Sequence, residues 1–167
     1  YRAAVGDFNG DGAPDIVASD SGAGHRRLVL LLQDAARRGR FLPAVDLPLP
    51  GVGADVAVGD LDGDGRGDLL VHLVFEPSGY TPNSGLAILP QLPGGGFKAT
   101  LFNSNDTPQV HEDISVAVFD ADGDKDPDIY LASGGFRFEK GSVNYRDHLW
   151  LNDGKGLEAK DGIGHGA

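Results

Sequence analysis

Hydrophobic residues in this chain occur in short runs that are separated by turn-forming residues. Runs such as Asp15–Ser19 and Asp68–Phe75 are rich in Val, Ile and Leu, and they either alternate with polar residues or continue without interruption. Both patterns are typical of β-strands. No run shows the capped period of an amphipathic helix, so the chain is predicted to be all-β.

The runs predict four strands in each of three successive groups. They are Ala3–Phe8, Asp15–Ser19, Arg27–Gln33 and Phe41–Leu47; Asp55–Leu61, Asp68–Phe75, Leu86–Gln91 and Phe97–Phe102; and Ile114–Phe119, Asp128–Ser133, Asp147–Asn152 and a weak last piece near Leu157. Four antiparallel strands per repeat form the blade of a β-propeller. We therefore expect a single segment of about three blades, with repeats over about 1–50, 51–110 and 111–167, which is a partial propeller or a fragment of a larger one.

A nine-residue acidic loop joins the first two strands of each group. The three copies read DFNGDGAPD, DLDGDGRGD and DADGDKDPD, and they begin at Asp7, Asp60 and Asp120. We call them the first, second and third loops and number their places from 1 to 9. Their starting residues are 53 and 60 positions apart, a period typical of solenoids and propellers.

Each loop has Asp or Asn at places 1, 3, 5 and 9, and the carbonyl at place 7 offers another oxygen. The predicted ligands are Asp7, Asn9, Asp11, Ala13 and Asp15; Asp60, Asp62, Asp64, Arg66 and Asp68; and Asp120, Asp122, Asp124, Asp126 and Asp128. A flexible ring of about five to seven oxygens suits Ca²⁺ better than Mg²⁺. We predict up to three calcium ions. The alternative, Asp-Gly pairs that only mark solvated hairpin turns, is less favoured by three copies in register.

Two features distinguish these loops from those of EF-hands and dockerins. An EF-hand requires a bidentate Glu at place 12, where this chain has Ala18, Val71 and Leu131. The flanking segments also have the pattern of strands and not of helices. The loops therefore connect strand to strand.

Glycines at places 4 and 6 permit a left-handed backbone that a side chain resists. Lys125 replaces the second of these glycines in the third loop, so we expect the third site to be weaker or differently turned. The second loop combines four carboxylates with both glycines and is expected to bind calcium most tightly.

The chain is acidic, with a net charge of −11 from 25 acidic and 14 basic residues. This balance argues against nucleic acid as a partner, because a phosphate-binding surface needs clustered Lys and Arg. The two basic clusters, at residues 25–27 and 37–40, are interpreted as solvated loop charges. There is no Cys and no apolar stretch long enough to span a membrane. The chain contains no Met, so the missing signal peptide is uninformative.

Catalytic motifs are scarce, and we predict that the chain is not an enzyme. It has no Cys nucleophile, no G-x-S-x-G elbow and no H-E-x-x-H zinc pair. The cluster of His111, Glu112 and Asp113 is interpreted as a polar loop between blades. Trp150 lies in an apolar run beside His148 and is interpreted as a packing residue, with a sugar platform as the alternative.

The pattern Gly-Asp-x-[Asn/Asp]-Gly-Asp-Gly-x-x-Asp before an apolar strand resembles the FG-GAP or VCBS repeat of integrin α-subunit propellers and many bacterial secreted proteins. The third repeat, with Gly134–Gly135 and Arg146–Gly156, is similar to bacterial VCBS proteins, some of which carry ASPIC/UnbV regions. The resemblance implies a calcium-stabilised, usually non-catalytic propeller that is extracellular, at the cell surface or periplasmic. Three blades do not close a ring, so further blades from a longer chain or from other subunits are expected.

Three functions remain open from the sequence. The first is a scaffold for extracellular protein or glycan recognition or adhesion, in which calcium is structural; the others are a sugar-binding lectin and the propeller domain of a polysaccharide-degrading enzyme. The longest connections between second and third strands should emerge opposite the acidic loops, and long loops often carry binding residues. The candidate ligand-binding residues there are Tyr80, Phe136, Arg137, Phe138 and Tyr145. Alternatively, Phe136 and Phe138 pack under their own loop.

Overall fold

The computed structural model describes residues 2–20, 22, 25–75, 83–98, 100–102, 113–134 and 139–163. Within these residues the chain forms twelve strands and one 3-10 helix, Val143–Tyr145. The strands are β1 Ala3–Gly6, β2 Asp15–Asp20, β3 Arg27–Leu31, β4 Val45–Pro48, β5 Val52–Gly59, β6 Asp68–Phe75, β7 Asn83–Leu89, β8 Thr100–Phe102, β9 Asp113–Phe119, β10 Asp128–Ser133, β11 Asp147–Asn152 and β12 Leu157–Ile163. A helix that is long and apolar enough to cross a membrane is absent from the described residues.

Each sheet is an antiparallel meander of four consecutive strands. Strands β1 to β4 form sheet 1, β5 to β8 form sheet 2 and β9 to β12 form sheet 3, and every strand pairs with its neighbours in sequence. Strands that follow one another in sequence commonly lie side by side in a sheet. The predicted all-β fold of about three four-stranded blades is confirmed.

The fourth strands differ from the sequence prediction. β4 begins at Val45, and Phe41 forms only an isolated bridge with Gln33. Pro43 lies between them and has no N–H for a ladder hydrogen bond, which explains the shortened strand. In sheet 2, Phe97 likewise makes only an isolated bridge, and β8 begins at Thr100. The last strand, predicted to be weak, is a seven-residue strand paired with β11.

Sheet 2 is buried on both faces between the other two sheets. Leu69, Val71 and Leu73 belong to a hydrophobic cluster shared with sheet 1, and Leu70 belongs to a second cluster shared with sheet 3. All four side chains are fully buried. A strand that is covered on both faces needs no polar alternation, which explains the nearly continuous apolar sequence of β6.

A buried carboxylate also connects sheets 2 and 3. Asp55 on β5 accepts hydrogen bonds from the Ser115 hydroxyl at 2.5 Å and the Val116 N–H at 3.2 Å, both on β9. Arg2, which precedes β1, lies 3.9 Å from the other side of this carboxylate. The first strands of the three sheets therefore approach one another through one side chain.

Sheets 1 and 3 each have one apolar face that the described residues leave uncovered. On sheet 1, Val5 and its cross-strand partner Ile16 face away from sheet 2, and Val5 is 64% exposed. On sheet 3, Phe119 is 47% exposed and its ring packs edge-on against Tyr130. These two surfaces are called the open faces below.

Candidate metal centre

The three acidic loops share one backbone conformation. The residues at places 4 and 6 all have positive φ, at 75° and 81° in the first loop, 74° and 84° in the second, and 88° and 81° in the third. Lys125 supplies the last of these values and is the one non-glycine residue with positive φ in the described part of the chain. The expectation that the third loop is differently turned is therefore wrong, because Lys125 adopts the same left-handed conformation. A weaker third site stays a prediction, since this conformation costs about 1 kcal/mol for a residue with a Cβ.

The carboxylate at place 1 organises each loop through backbone N–H groups. Asp7 accepts hydrogen bonds from Gly10 at 2.8 Å and Gly12 at 2.9 Å. Desolvation raises the pKa of Asp7, but the backbone hydrogen bonds, led by that of Gly12, outweigh it and hold the pKa below its ordinary value. Asp60 and Asp120 accept equivalent bonds from place 6, at 2.9 and 3.1 Å.

The side chains at places 3 and 5 are held by Asx turns. In the second loop, Asp62 accepts the N–H of Asp64 at 3.2 Å, and Asp64 accepts the N–H of Arg66 at 2.9 Å. The first and third loops repeat both bonds. An Asx turn orients a short polar side chain over its own backbone, so the side chains at places 3 and 5 make the same local hydrogen bonds in all three loops.

The aspartate at place 9 is fully buried and joins its loop to a distant strand. Asp68 accepts the Leu61 N–H at 2.8 Å with one oxygen and the Gln91 N–H at 2.9 Å with the other. Burial raises the pKa of Asp68, and nearby Asp62 and Asp64 act in the same direction, although the two backbone bonds oppose them. Asp15 and Asp128 make the same pair of bonds in their own sheets.

These aspartates were predicted only as metal ligands, and sequence reasoning missed their structural role. Because a carboxylate has about four lone-pair sites, two backbone bonds leave capacity for a cation. Sequence reasoning also missed the partners at or just beyond the end of the third strand, which are Gln33, Gln91 and Asn152. The available signal was an amide residue directly after an apolar run, in LLLQ, ILPQ and LWLN.

The amide side chains of Gln33 and Asn152 also bind the loops. Gln33 donates to the Pro14 carbonyl at 2.8 Å. Asn152 donates to the Pro127 carbonyl at 3.3 Å and, across the sheet interface, to the Leu61 carbonyl at 3.2 Å. These bonds hold the first and third loops to the third-strand segment beside them, and Asn152 also connects the second loop to sheet 3.

Two of the three loops bring three carboxylates together. Oxygen atoms of Asp60, Asp62 and Asp68 all lie within 4.8 Å of one another, and so do those of Asp120, Asp122 and Asp124. Desolvation raises the pKa of Asp122, and the charges of Asp124, Asp128 and Asp120 raise it further. An all-oxygen donor set with mutual repulsion fits a hard divalent cation.

The remaining predicted ligands have other contacts. The carboxylate of Asp64 pairs with the guanidinium of Arg66. Asp64 is not part of the cluster formed by Asp60, Asp62 and Asp68. Asn9 in the first loop donates its amide to Asp11 at 2.8 Å. The residues at place 7, which are Ala13, Arg66 and Asp126, donate their N–H groups to place 5; their carbonyls stay predicted ligands.

Comparison with known protein families bears on the first two loops. A model of an FG-GAP-like repeat matches residues 7–71, from the start of the first loop into β6. This segment is an FG-GAP-like repeat. A search of curated proteins finds no match to the chain.

The FG-GAP-like repeat described by this match contains both the first and the second loop. The third loop lies outside the matched residues, yet it has the same φ angles, the same Asx turns and the same buried aspartate at place 9. The geometry of the FG-GAP-like repeat thus extends to sheet 3. The closer similarity of the third repeat to VCBS proteins with ASPIC/UnbV regions stays a prediction.

The predicted ligand-binding residues fall mostly outside the described part of the chain. Tyr80, Phe136, Arg137 and Phe138 are not among the described residues, and neither are His111 and Glu112. Tyr145 is partly buried at the end of the 3-10 helix. Trp150 is 2% exposed within the cluster between sheets 2 and 3 and stacks on His148, so its interpretation as a packing residue is confirmed.

Proposed function

We propose that the acidic loops of this propeller-type module bind Ca²⁺ as structural ions. The observation that carries the proposal is the convergence of Asp60, Asp62 and Asp68 within 4.8 Å, together with a second three-carboxylate cluster in the third loop, formed by Asp120, Asp122 and Asp124. A bound cation neutralises this charge and holds the loop between the first two strands of a blade. The calcium is therefore part of the scaffold, and the chain itself carries out no catalysis.

Thermal unfolding with and without calcium tests this proposal. A ligand that binds only the folded chain stabilises it by mass action, by about 3 kcal/mol at a free concentration one hundred times its Kd. We expect the melting temperature to rise by several degrees between EDTA and millimolar calcium. Magnesium should act weakly because it requires a stricter octahedral geometry. Superimposable melts in EDTA and calcium would reject the proposal.

The open faces support a larger assembly. Ile16 on the open face of sheet 1 directly follows place 9, as do Leu69 and Ile129, which are fully buried between sheets. On sheet 3, Tyr130 lies two positions after place 9. Val17 and Leu70 occupy the same position in the other two sheets, and both are fully buried between sheets. We infer that further blades, from a longer chain or from other subunits, cover both open faces.

The role we propose for the assembled propeller is recognition of a protein or a glycan outside the cytoplasm. Its support is the FG-GAP-like repeat together with rigid loops that a structural cation would hold in place. A glycan array and a pull-down from the native organism separate the two partner classes. Hydrolysis or elimination of pectic or algal polysaccharide by the chain would instead favour the enzymatic alternative.

A further inference from the structure

The hairpin between β3 and β4, at residues 34–42, contains the densest cluster of arginines in the sequence. Arg37, Arg38 and Arg40 occur within four positions and are all exposed. Arg37 approaches Asp34 at 4.0 Å, whereas neither Arg38 nor Arg40 has an ion-pair partner among the described residues. In a chain with a net charge of −11, this concentration of guanidinium groups creates a local positive potential.

Exposed apolar side chains follow these arginines directly. Phe41, Leu42 and Val45 are 42%, 46% and 43% exposed, and they make up three of the six large hydrophobic residues that are exposed in the described chain. Half of the exposed large hydrophobic residues in the described chain therefore lie within a segment of five positions. A surface that combines guanidinium groups with an aromatic ring is typical of binding hot spots.

The arginine hairpin is held rigidly against the first loop. Gln33 accepts the Gly39 N–H at 2.7 Å and donates to the Pro14 carbonyl at 2.8 Å, so one side chain bonds both segments. Backbone hydrogen bonds from Asp34 to Arg40 and from Arg40 to Arg37 close the turn. A preorganised site loses less conformational entropy when it binds a ligand.

A cleft of about 410 Å³ lies between the hairpin and the first loop. Its volume is within the range of small-ligand sites, about 300 to 1,000 Å³. It is lined by Asp11, Gly12, Ala13, Pro14, Gln33, Ala35 and Arg38. Among the described residues, the charged groups on its walls are Arg38 and Asp11, and a cation in the first loop would neutralise Asp11. The cleft would then present a net positive wall to its occupant.

We propose that this cleft and the arginine hairpin bind an acidic sugar of an anionic polysaccharide. The carboxylate or sulfate group pairs with Arg38 in the cleft, where a guanidinium binds such groups with two parallel hydrogen bonds. The apolar face of a neighbouring sugar ring packs on Phe41 and Leu42, and Arg37 and Arg40 contact the next charged groups along the chain. The proposal extends the suggested recognition role by naming a ligand class and a binding site. Only its dependence on calcium relies on the first loop holding a cation.

An acidic sugar fits this surface better than an anionic membrane does. A membrane also offers charge beside apolar groups, but it is broad and flat, whereas Arg38 lines a concave cleft that takes one discrete group. The negative charge of the molecule also repels an extended anionic surface. Screening limits this repulsion to charges within about 8 Å of one another at physiological ionic strength. A broad membrane brings more of the acidic residues within that distance than a single sugar in the cleft does.

The test measures calorimetric binding of the chain, in millimolar calcium, to oligogalacturonate, to a heparin oligosaccharide and to a neutral dextran oligosaccharide. We expect binding to at least one acidic probe and none to the neutral one. Replacement of Arg37, Arg38 and Arg40 by Ala should weaken it at least about tenfold. The charge-matched control replaces the exposed residues Lys98, Lys140 and Arg146 by Ala and should change the affinity less than about threefold.

Three results would overturn the proposal. They are equal loss of affinity in the two triple variants, equal binding of the neutral oligosaccharide, and binding to phosphatidylserine vesicles without binding to either acidic probe. Calcium titration of the same variants separates this proposal from the preceding one. Equal binding of the acidic probe in EDTA and in calcium would support the arginine site. It would also show that this site does not depend on a cation in the first loop.

Discussion

At the scale of single residues, the aspartates at places 9 and 3 have different roles although both are acidic and both belong to one predicted cage. Asp68 is fully buried and accepts one backbone hydrogen bond on each oxygen, from Leu61 and Gln91. Asp62 is exposed and accepts a single local bond from Asp64 at 3.2 Å. Asp68 therefore stabilises the fold through its buried hydrogen bonds, whereas Asp62 contributes mainly negative charge to the loop.

This difference predicts unequal effects of two isosteric substitutions. Asp68→Asn places an NH₂ group against a backbone N–H and should destabilise the chain by about 1.5–3 kcal/mol even in EDTA. Asp62→Asn is the control and should melt like the wild type in EDTA. In calcium, both variants should lose part of the metal-dependent stabilisation. An Asp68→Asn variant that melts like the wild type in EDTA would contradict the structural role.

Tyr130 provides a prediction of pH dependence. Its hydroxyl donates to Asp147, and this bond together with burial raises the pKa of Tyr130 to about 12. The folded pKa lies above the unfolded one, about 10. The contribution to stability is therefore complete below about pH 10 and is lost as the pH rises toward 12. Ultraviolet titration should show a tyrosinate transition near pH 12 that is absent from Tyr130→Phe; an unchanged titration in that variant would rule out this assignment.

At the scale of elements, each acidic loop is a local unit that is completed by a distant strand. Hydrogen bonds within the loops connect residues no more than seven positions apart, such as Asp68 with Leu61. The bonds from place 9 to the third strand connect residues 18, 23 and 24 positions apart. The loop thereby fixes the first three strands of its blade to one another.

Lys125 offers the clearest test at this scale, because it has φ of 81° where the other loops have glycine. Lys125→Gly should relieve about 1 kcal/mol of backbone strain and remove a positive charge beside the third cluster. We expect a higher melting temperature in calcium and a higher affinity for calcium. Lys140→Gly, which also exchanges an exposed lysine for glycine, should give no increase. A fall in calcium affinity for Lys125→Gly would show that the lysine supports the site.

At the scale of the whole molecule, the sheets pack in series, and the described residues cover the two terminal sheets on only one side. Sheet 2 demonstrates what a covered blade requires, since its residues Leu69 and Leu70 are fully buried on opposite faces. Val5 and Phe119 on the open faces are 64% and 47% exposed. Large exposed apolar faces mark surfaces that bind other chains.

The isolated chain of 17.4 kDa should therefore associate in solution. Light scattering should give a mass that rises with protein concentration, because each open face resembles a surface that is buried between blades. Val5→Lys and Phe119→Lys should reduce this association. Leu92→Lys, at another exposed apolar residue that lies outside the open faces, is the matched control. A stable monomer of wild-type mass at all concentrations would contradict the expectation.

The sequence by itself determined the number of strands in each blade, the position of the acidic loops and the identity of their oxygen-bearing residues. These features depend on interactions between near neighbours, since strand periodicity, glycine conformation and Asx turns are all set within a few positions. The weak point was the fourth strand, where Pro43 and the bridge between Phe41 and Gln33 shifted the start of β4.

Only the tertiary structure decided which long-range partners these residues have. It paired Asp68 with Gln91, joined Asp55 to Ser115 over 60 positions, and placed Arg38 across a cleft from Asp11. No local pattern encodes such contacts, because they arise when whole sheets pack and bring separate turns together. The same packing buried the aspartates at place 9 and left the two open faces exposed, and both outcomes depend on which surfaces meet and not on the residues alone.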